Sequence, residues 1–123
     1  MSDKPVPTNI RVRRQSRVLS LTYGDGTIRE LPFELLRVYS PSAEVKGHGA
    51  GPGPLQTGKR DVELTAVQPV GNYAVQLSFS DGHDSGIYSW DYLWELASRQ
   101  DAYWRSYLTR LEAEGGKRSE RRE

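Results

Sequence analysis

Residues Gly53 to Arg60 read GPLQTGKR, one position short of the phosphate-loop pattern G-x-x-x-x-G-K-[ST]. Such a loop cradles phosphates with backbone N–H groups, holds them with its lysine and ligates magnesium through the final hydroxyl. It needs a buried strand before it and a helix after it, because the helix N-terminus faces the anion. Here a Gly/Pro-rich run precedes the motif, the following DVELTAV alternates as a strand does, and Arg60 stands in the hydroxyl position. The pattern therefore predicts a loop with a basic end, in which Lys59 and Arg60 are candidates for facing an anion or a protein partner.

Two histidines are the remaining chemical candidates, His48 in Gly-His-Gly and His83 in SDGHD. Asp81 and Asp84 set two carboxylates beside His83, and with His48 folded nearby the four could form a mixed nitrogen/oxygen metal site. No H-x-x-x-H or H-x-D spacing supports such a site, and the simpler reading makes His83 a turn residue and His48 a solvated loop residue. Ser40, Ser42, Ser80 and Ser85 supply hydroxyls, but a nucleophile needs a base and an orienting acid in one cluster. No G-x-S-x-G elbow is present. The chain has no cysteine, which excludes disulfides, thiolate zinc, cysteine-ligated iron–sulfur clusters and a cysteine nucleophile. No catalytic constellation emerges, and the expectation is a protein that is not an enzyme.

Elements of one small domain must position these residues. The 123 residues suit a single core. Residues 1–7 read as a flexible lead-in, 8–114 as the domain and 115–123 as a charged, disordered tail. Ile10 and Val12 alternate with Arg11 and Arg13; with Arg14 and Arg17 these arginines read as the exposed face of an edge strand rather than a nucleic-acid arm. VLSLTY, the turn Gly24-Asp25-Gly26 and the return to Leu31 predict a hairpin. FELLRVY predicts one or two helical turns. Val62, Leu64 and Ala66 are placed on one strand face, Pro69-Val70-Gly71-Asn72 in a turn, and Tyr73, Val75, Leu77 and Phe79 on a second strand. A short last strand follows over Ser85–Ser89. The period then becomes helical: Ser89 or Asp91 caps a helix burying Trp90, Leu93, Trp94 and Ala97, and Asp101 caps a second with Trp104, Tyr107, Leu108 and Leu111 on its face. Tyr92 and Tyr103 are candidates to spill over into a partner surface. Strands first and helices last predict an α+β fold: a small antiparallel sheet of five to six strands with one or two C-terminal helices.

A net charge of +1 gives no pull toward nucleic acid or an anionic membrane. No apolar run approaches the roughly 18 residues of a membrane span, and MSDKPVPTN lacks the apolar core of a signal peptide. A cytoplasmic protein binding neither nucleic acid nor membrane is expected.

LRVYSPSAEVKGHG (Leu36–Gly49), LQTGKRDV (Leu55–Val62) and VGNYAVQLSFSDGHDSGIYSWDYLWEL (Val70–Leu96) resemble the gamma-butyrobetaine hydroxylase-like N-terminal domain family over about Pro7–Ala97. Small standalone bacterial members have no known function. Related domains precede an iron- and 2-oxoglutarate-dependent oxygenase domain in carnitine-synthesis enzymes or accompany ATPases that carry iron–sulfur clusters. Only the small domain is present here, so the neighbour's activity is not inherited. In the eukaryotic oxygenases the domain resembles a zinc module of three Cys and one His. By position those Cys fall on Ser40, Ser42 and Val45, and the His on His83. Hydroxyls and a valine do not replace thiolates, so no zinc and no other cofactor is expected; iron enters only by family analogy. The resemblance implies a hydrogen-bonded substitute in which Ser40, Ser42 or Glu44 reaches His83 or Asp84. It also implies a non-catalytic accessory or protein-interaction domain, linked by analogy to iron–sulfur handling or oxygenase machinery. Ser40, Ser42, Glu44, His48, Lys59 and Arg60 are the candidate partner-binding residues. The alternative is a metal- or small-ligand-binding protein using His48, His83 and the nearby carboxylates.

Overall fold

In the computed structural model, which describes residues 5–42 and 53–119, strands β1 (Asn9–Arg13), β2 (Val18–Thr22) and β3 (Ile28–Pro32) form an antiparallel meander. Gly26, at φ +87°, takes the left-handed conformation that the β2–β3 turn requires. The register pairs Leu19 with Leu31, and both are fully buried. Arg11 and Arg13 face solvent as alternation predicts, while Arg14 and Arg17 reach to the second sheet. Arg14 Nη1 donates to the Leu64 carbonyl at 3.0 Å, and Arg17 donates to the Val62 carbonyl at 2.9 Å and pairs with Glu63. Arg17 itself sits at φ +60°, a conformation uncommon outside glycine; these anchors hold it there.

Pro32 leads into helix α1 (Phe33–Val38), all six residues of which are buried. Strands β4 (Leu64–Val70), β5 (Ala74–Phe79) and β6 (Gly86–Ser89) form the second antiparallel sheet. A register shift between Leu64 and Ala66 reverses the phase of β4. Ala66 is therefore exposed and Val67 half-buried, where simple alternation puts Ala66 on the inner face. Pro69 and Val70 belong to β4 rather than to the turn, and Tyr73, just before the start of β5, is 56% exposed.

Helix α2 (Trp90–Ser98) is capped by Ser89, the first of the two caps the sequence allows, whose hydroxyl accepts from Tyr92 N at 3.1 Å; Asp91 lies in the first turn. Helix α3 (Gln100–Glu114) starts one residue after its Arg99 N-cap, so Asp101 is not a cap. It lies instead in the first turn, where its charge complements the helix dipole. Gly115 at φ +69° closes α3. Tyr107 and Leu111 are buried, but Leu108 is 38% exposed.

One core joins both sheets with α1 and α2 through Leu19, Leu36, Leu64, Leu77, Tyr88 and Leu93. The architecture is α+β, with six strands divided between two three-stranded sheets and helices at the C-terminal end. Among the described residues no helix is long and apolar enough to cross a membrane. Residues 115–119, read from sequence as the start of a disordered tail, make defined contacts. The Lys117 and Arg118 carbonyls accept from Gly58 N at 2.9 Å and Arg60 N at 3.0 Å.

Candidate functional site

The β5–β6 turn, the end of α1 and the loop before β4 bring the chemical candidates together. In the turn, Gly82 at φ +88° reverses the chain. Asp81 Oδ1 accepts from His83 N at 3.2 Å, a local bond typical of aspartate in turns, and Phe79 N donates to the His83 carbonyl at 2.9 Å. These bonds aim the His83 ring inward, where the residue is 6% exposed.

Ser40, 1% exposed, meets that ring from the end of α1, with Oγ 2.8 Å from His83 Nε2. The same oxygen accepts from Ser42 N at 3.2 Å, so Ser42, Ser40 and His83 form a buried hydrogen-bonded relay. The Tyr88 proton is committed to the Leu36 carbonyl at 2.5 Å. Burial, the largest influence, pushes the Tyr88 phenol far above its ordinary range, which keeps this donor protonated. Ser42 Oγ lies 2.7 Å from Ser85 Oγ and adds a second crossing between the same segments.

Gly86 makes this approach possible. A Cβ there would lie 2.5 Å from Ser40 Oγ and 3.0 Å from Tyr88 Cε1, so no larger residue fits unless the relay moves.

A charge network lies beside the relay. Asp81 Oδ2 accepts from Arg37 Nε at 2.9 Å and from Lys59 Nζ at 2.8 Å. Arg37 Nη1 also reaches Gln56 Oε1 at 3.3 Å. Burial acts to raise the Asp81 carboxyl, but Lys59, the His83 backbone N–H and Arg37 outweigh it and hold the group at about 2. Lys59 is thus paired with Asp81.

The structure brings Ser40, Ser42, Ser85, His83, Asp81 and Lys59 into one neighbourhood, and it adds Arg37, Gly86 and Tyr88. Arg60 is exposed and reaches the neighbourhood through its backbone, its carbonyl accepting from Arg17 Nη2 at 3.0 Å. Asp84 is exposed and its carbonyl accepts from Gln76 Nε2 at 2.6 Å. Glu44, Val45 and His48 lie outside the described residues. Tyr92 and Tyr103, read as spill-over aromatics, are half-buried and turned inward: Tyr92 OH donates to the Tyr39 carbonyl, and Tyr103 OH to Glu95 Oε2 at 3.1 Å. Among the described residues, no group of three His, Asp or Glu side chains is placed to hold a metal ion. His83 Nε2 is engaged by Ser40 Oγ at 2.8 Å inside the fold.

Two small antiparallel sheets joined by one core, with this turn-and-helix cluster at one end, define an α+β domain. The model of the family "Gamma-butyrobetaine hydroxylase-like, N-terminal" matches residues 10–94, and the chain belongs to that family. Two solution NMR structures share its fold. One is 48% identical, with a TM-score of 0.83, covering 98% of this chain and 94% of the other. The second is 50% identical with a TM-score of 0.82, covering 96% and 88%. A crystal structure from Acidithiobacillus ferrooxidans, described as a protein of unknown function in the DUF971 family, is 44% identical with a TM-score of 0.63 and covers 74% and 91%. No curated protein matches the chain.

Proposed function

We propose that the chain is a non-catalytic accessory domain that works by docking a protein partner. The observation that carries this reading is the commitment of the reactive groups to one another. Ser40 and His83 share a buried relay, and Asp81 is held by Arg37 and Lys59. A nucleophile or metal ligand needs a free lone pair and an approach path; these groups hold α1, the loop and the turn together instead. By family analogy, the partner sought first belongs to iron–sulfur cluster handling or iron-dependent oxygenase machinery. Ser40, Ser42 and His83 then act by shaping the surface above them, not by touching the partner.

The test combines metal analysis with capture of cross-linked partners from the native cell, using tagged full-length chain. The docking reading expects no stoichiometric metal and a specific partner whose capture survives chelator. A stoichiometric metal that is lost in His48→Ala or His83→Ala would overturn it in favour of ligand binding through those residues and the adjacent carboxylates.

A further inference from the structure

Near the start of α1, Glu34 carries a carboxylate whose side chain is only 7% exposed. A buried carboxylate is costly without a cation, and its cation comes from the far end of the chain. Arg118 Nη2 lies 2.7 Å from Glu34 Oε1, and Arg118 Nε lies 3.0 Å from Oε2. The same guanidinium sits 5.0 Å from the centre of the Trp104 ring. A two-pronged carboxylate under one edge and an aromatic ring under one face match a planar guanidinium and not a compact ammonium. Beside them Tyr107, raised to about 12 by burial and then by the Glu34 charge, donates to the Gln56 carbonyl at 2.7 Å. This fixes the pocket wall to the loop.

The occupant, Arg118, comes from the segment after α3. It follows two glycines, Gly115 and Gly116, and its backbone makes the two bonds from Gly58 N and Arg60 N to the Lys117 and Arg118 carbonyls. The pocket thus receives an arginine together with the carbonyls of that arginine and the residue before it. This is the pattern of a short peptide bound on a receptor, here supplied by the chain itself. The loop it crosses carries Lys59, which reaches Asp81 beside His83.

We infer that Glu34 and Trp104 form an arginine-recognition pocket, filled in cis by Arg118, and that a partner protein docks by inserting an arginine-bearing segment in its place. The inference rests on the docking reading above and supplies the chemistry of the partner. Its failure would leave partner capture from the native cell intact, whereas failure of the docking reading would abolish that capture. Tethering gives Arg118 an effective concentration on the order of millimolar, so the partner segment must bring further contacts to win.

The experiment uses the full chain carrying Arg118→Ala and a blocked peptide of sequence Gly-Gly-Lys-Arg-Ser, followed by NMR at the Trp104 indole and the Gly58 and Arg60 amides. Saturable shifts are expected at all three. Binding should weaken by about tenfold or more when lysine replaces the peptide's arginine, and by a similar factor in the wild type, where Arg118 competes. Adding Glu34→Gln should abolish it. A folded Arg118→Ala chain that shows no saturable shift, or that binds the lysine and arginine peptides equally, would overturn the inference. Should Arg118→Ala fail to fold, millimolar peptide added to the wild type must shift the Trp104 indole, and an unmoved indole would overturn it equally. A wild-type dimer that dissociates in Arg118→Ala would assign the pocket to self-association and overturn the partner assignment.

Discussion

Gly86→Ala tests the packing of the Ser40 relay at its tightest point. The new Cβ would arrive 2.5 Å from Ser40 Oγ, 3.0 Å from Tyr88 Cε1 and 3.5 Å from Pro41 Cδ. Tyr88 is fully buried and cannot swing away, so Ser40 must rotate and release His83. Overpacking of this kind costs about 1–3 kcal/mol, and a buried donor left unsatisfied costs about 1–3 kcal/mol. Because the two effects overlap, Gly86→Ala is expected to lose about 2–4 kcal/mol, a large share of the roughly 5–15 kcal/mol that holds a domain folded. Ser40→Ala alone loses the relay bond and should cost about 1–3 kcal/mol. Ser40→Ala also removes the atom that Gly86→Ala strikes, so the double variant should be less destabilised than the sum by about 1–2 kcal/mol. Urea unfolding of the four proteins, read as midpoint shifts at constant slope, measures this cycle. A Gly86→Ala protein within about 0.5 kcal/mol of wild type, or strict additivity with Ser40→Ala, would refute the reasoning.

Two further outcomes are expected. Asp81 is held at about 2 in the folded chain, below the ordinary carboxylate range, so it contributes stability above that range that is lost as pH falls toward 2. Allowing for solvent screening of a partly exposed network, Asp81→Asn should cost about 1 kcal/mol near neutrality, and the gap to wild type should close on acidification in urea titrations from pH 7 to 2. Arg118→Met leaves the buried Glu34 carboxylate without its partner and should cost about 1–3 kcal/mol. Adding Glu34→Met should recover part of that loss in thermal melts, since replacing both charges is milder than stranding one.

The strand-rich first part of the fold was legible in the sequence because local chemistry dictates it. The Gly24–Gly26 turn, the Ser89 cap and the alternation of Val75, Leu77 and Phe79 each act over a few residues. What escaped was non-local or irregular. The register shift at the start of β4 reverses the faces of Ala66 and Val67, and a periodicity reading has no means of seeing one unpaired residue. Asp101 looks like a cap, but α2 and α3 follow so closely that Arg99 serves as C-cap of one and N-cap of the other. In the candidate site, Ser40, Ser42 and His83 stood out as residues, but the family resemblance was what put the serines beside the histidine. Arg37, Gly86 and Tyr88 were missed because their roles exist only once α1 lies against the β5–β6 turn, more than 40 residues away in sequence. Arg118 was hidden in a run of charges that composition alone assigns to a tail.

The contact that matters most is the one between Ser40 Oγ and His83 Nε2, which keeps that nitrogen inside the fold. Nitrogen-15 NMR of the histidine rings in the full-length chain, recorded before and after adding zinc, tests it directly. A His83 Nε2 resonance that shifts in Ser40→Ala and is unmoved by zinc in the wild type is the expected result. A His83 Nε2 unaffected by Ser40→Ala, or captured by zinc, would contradict it.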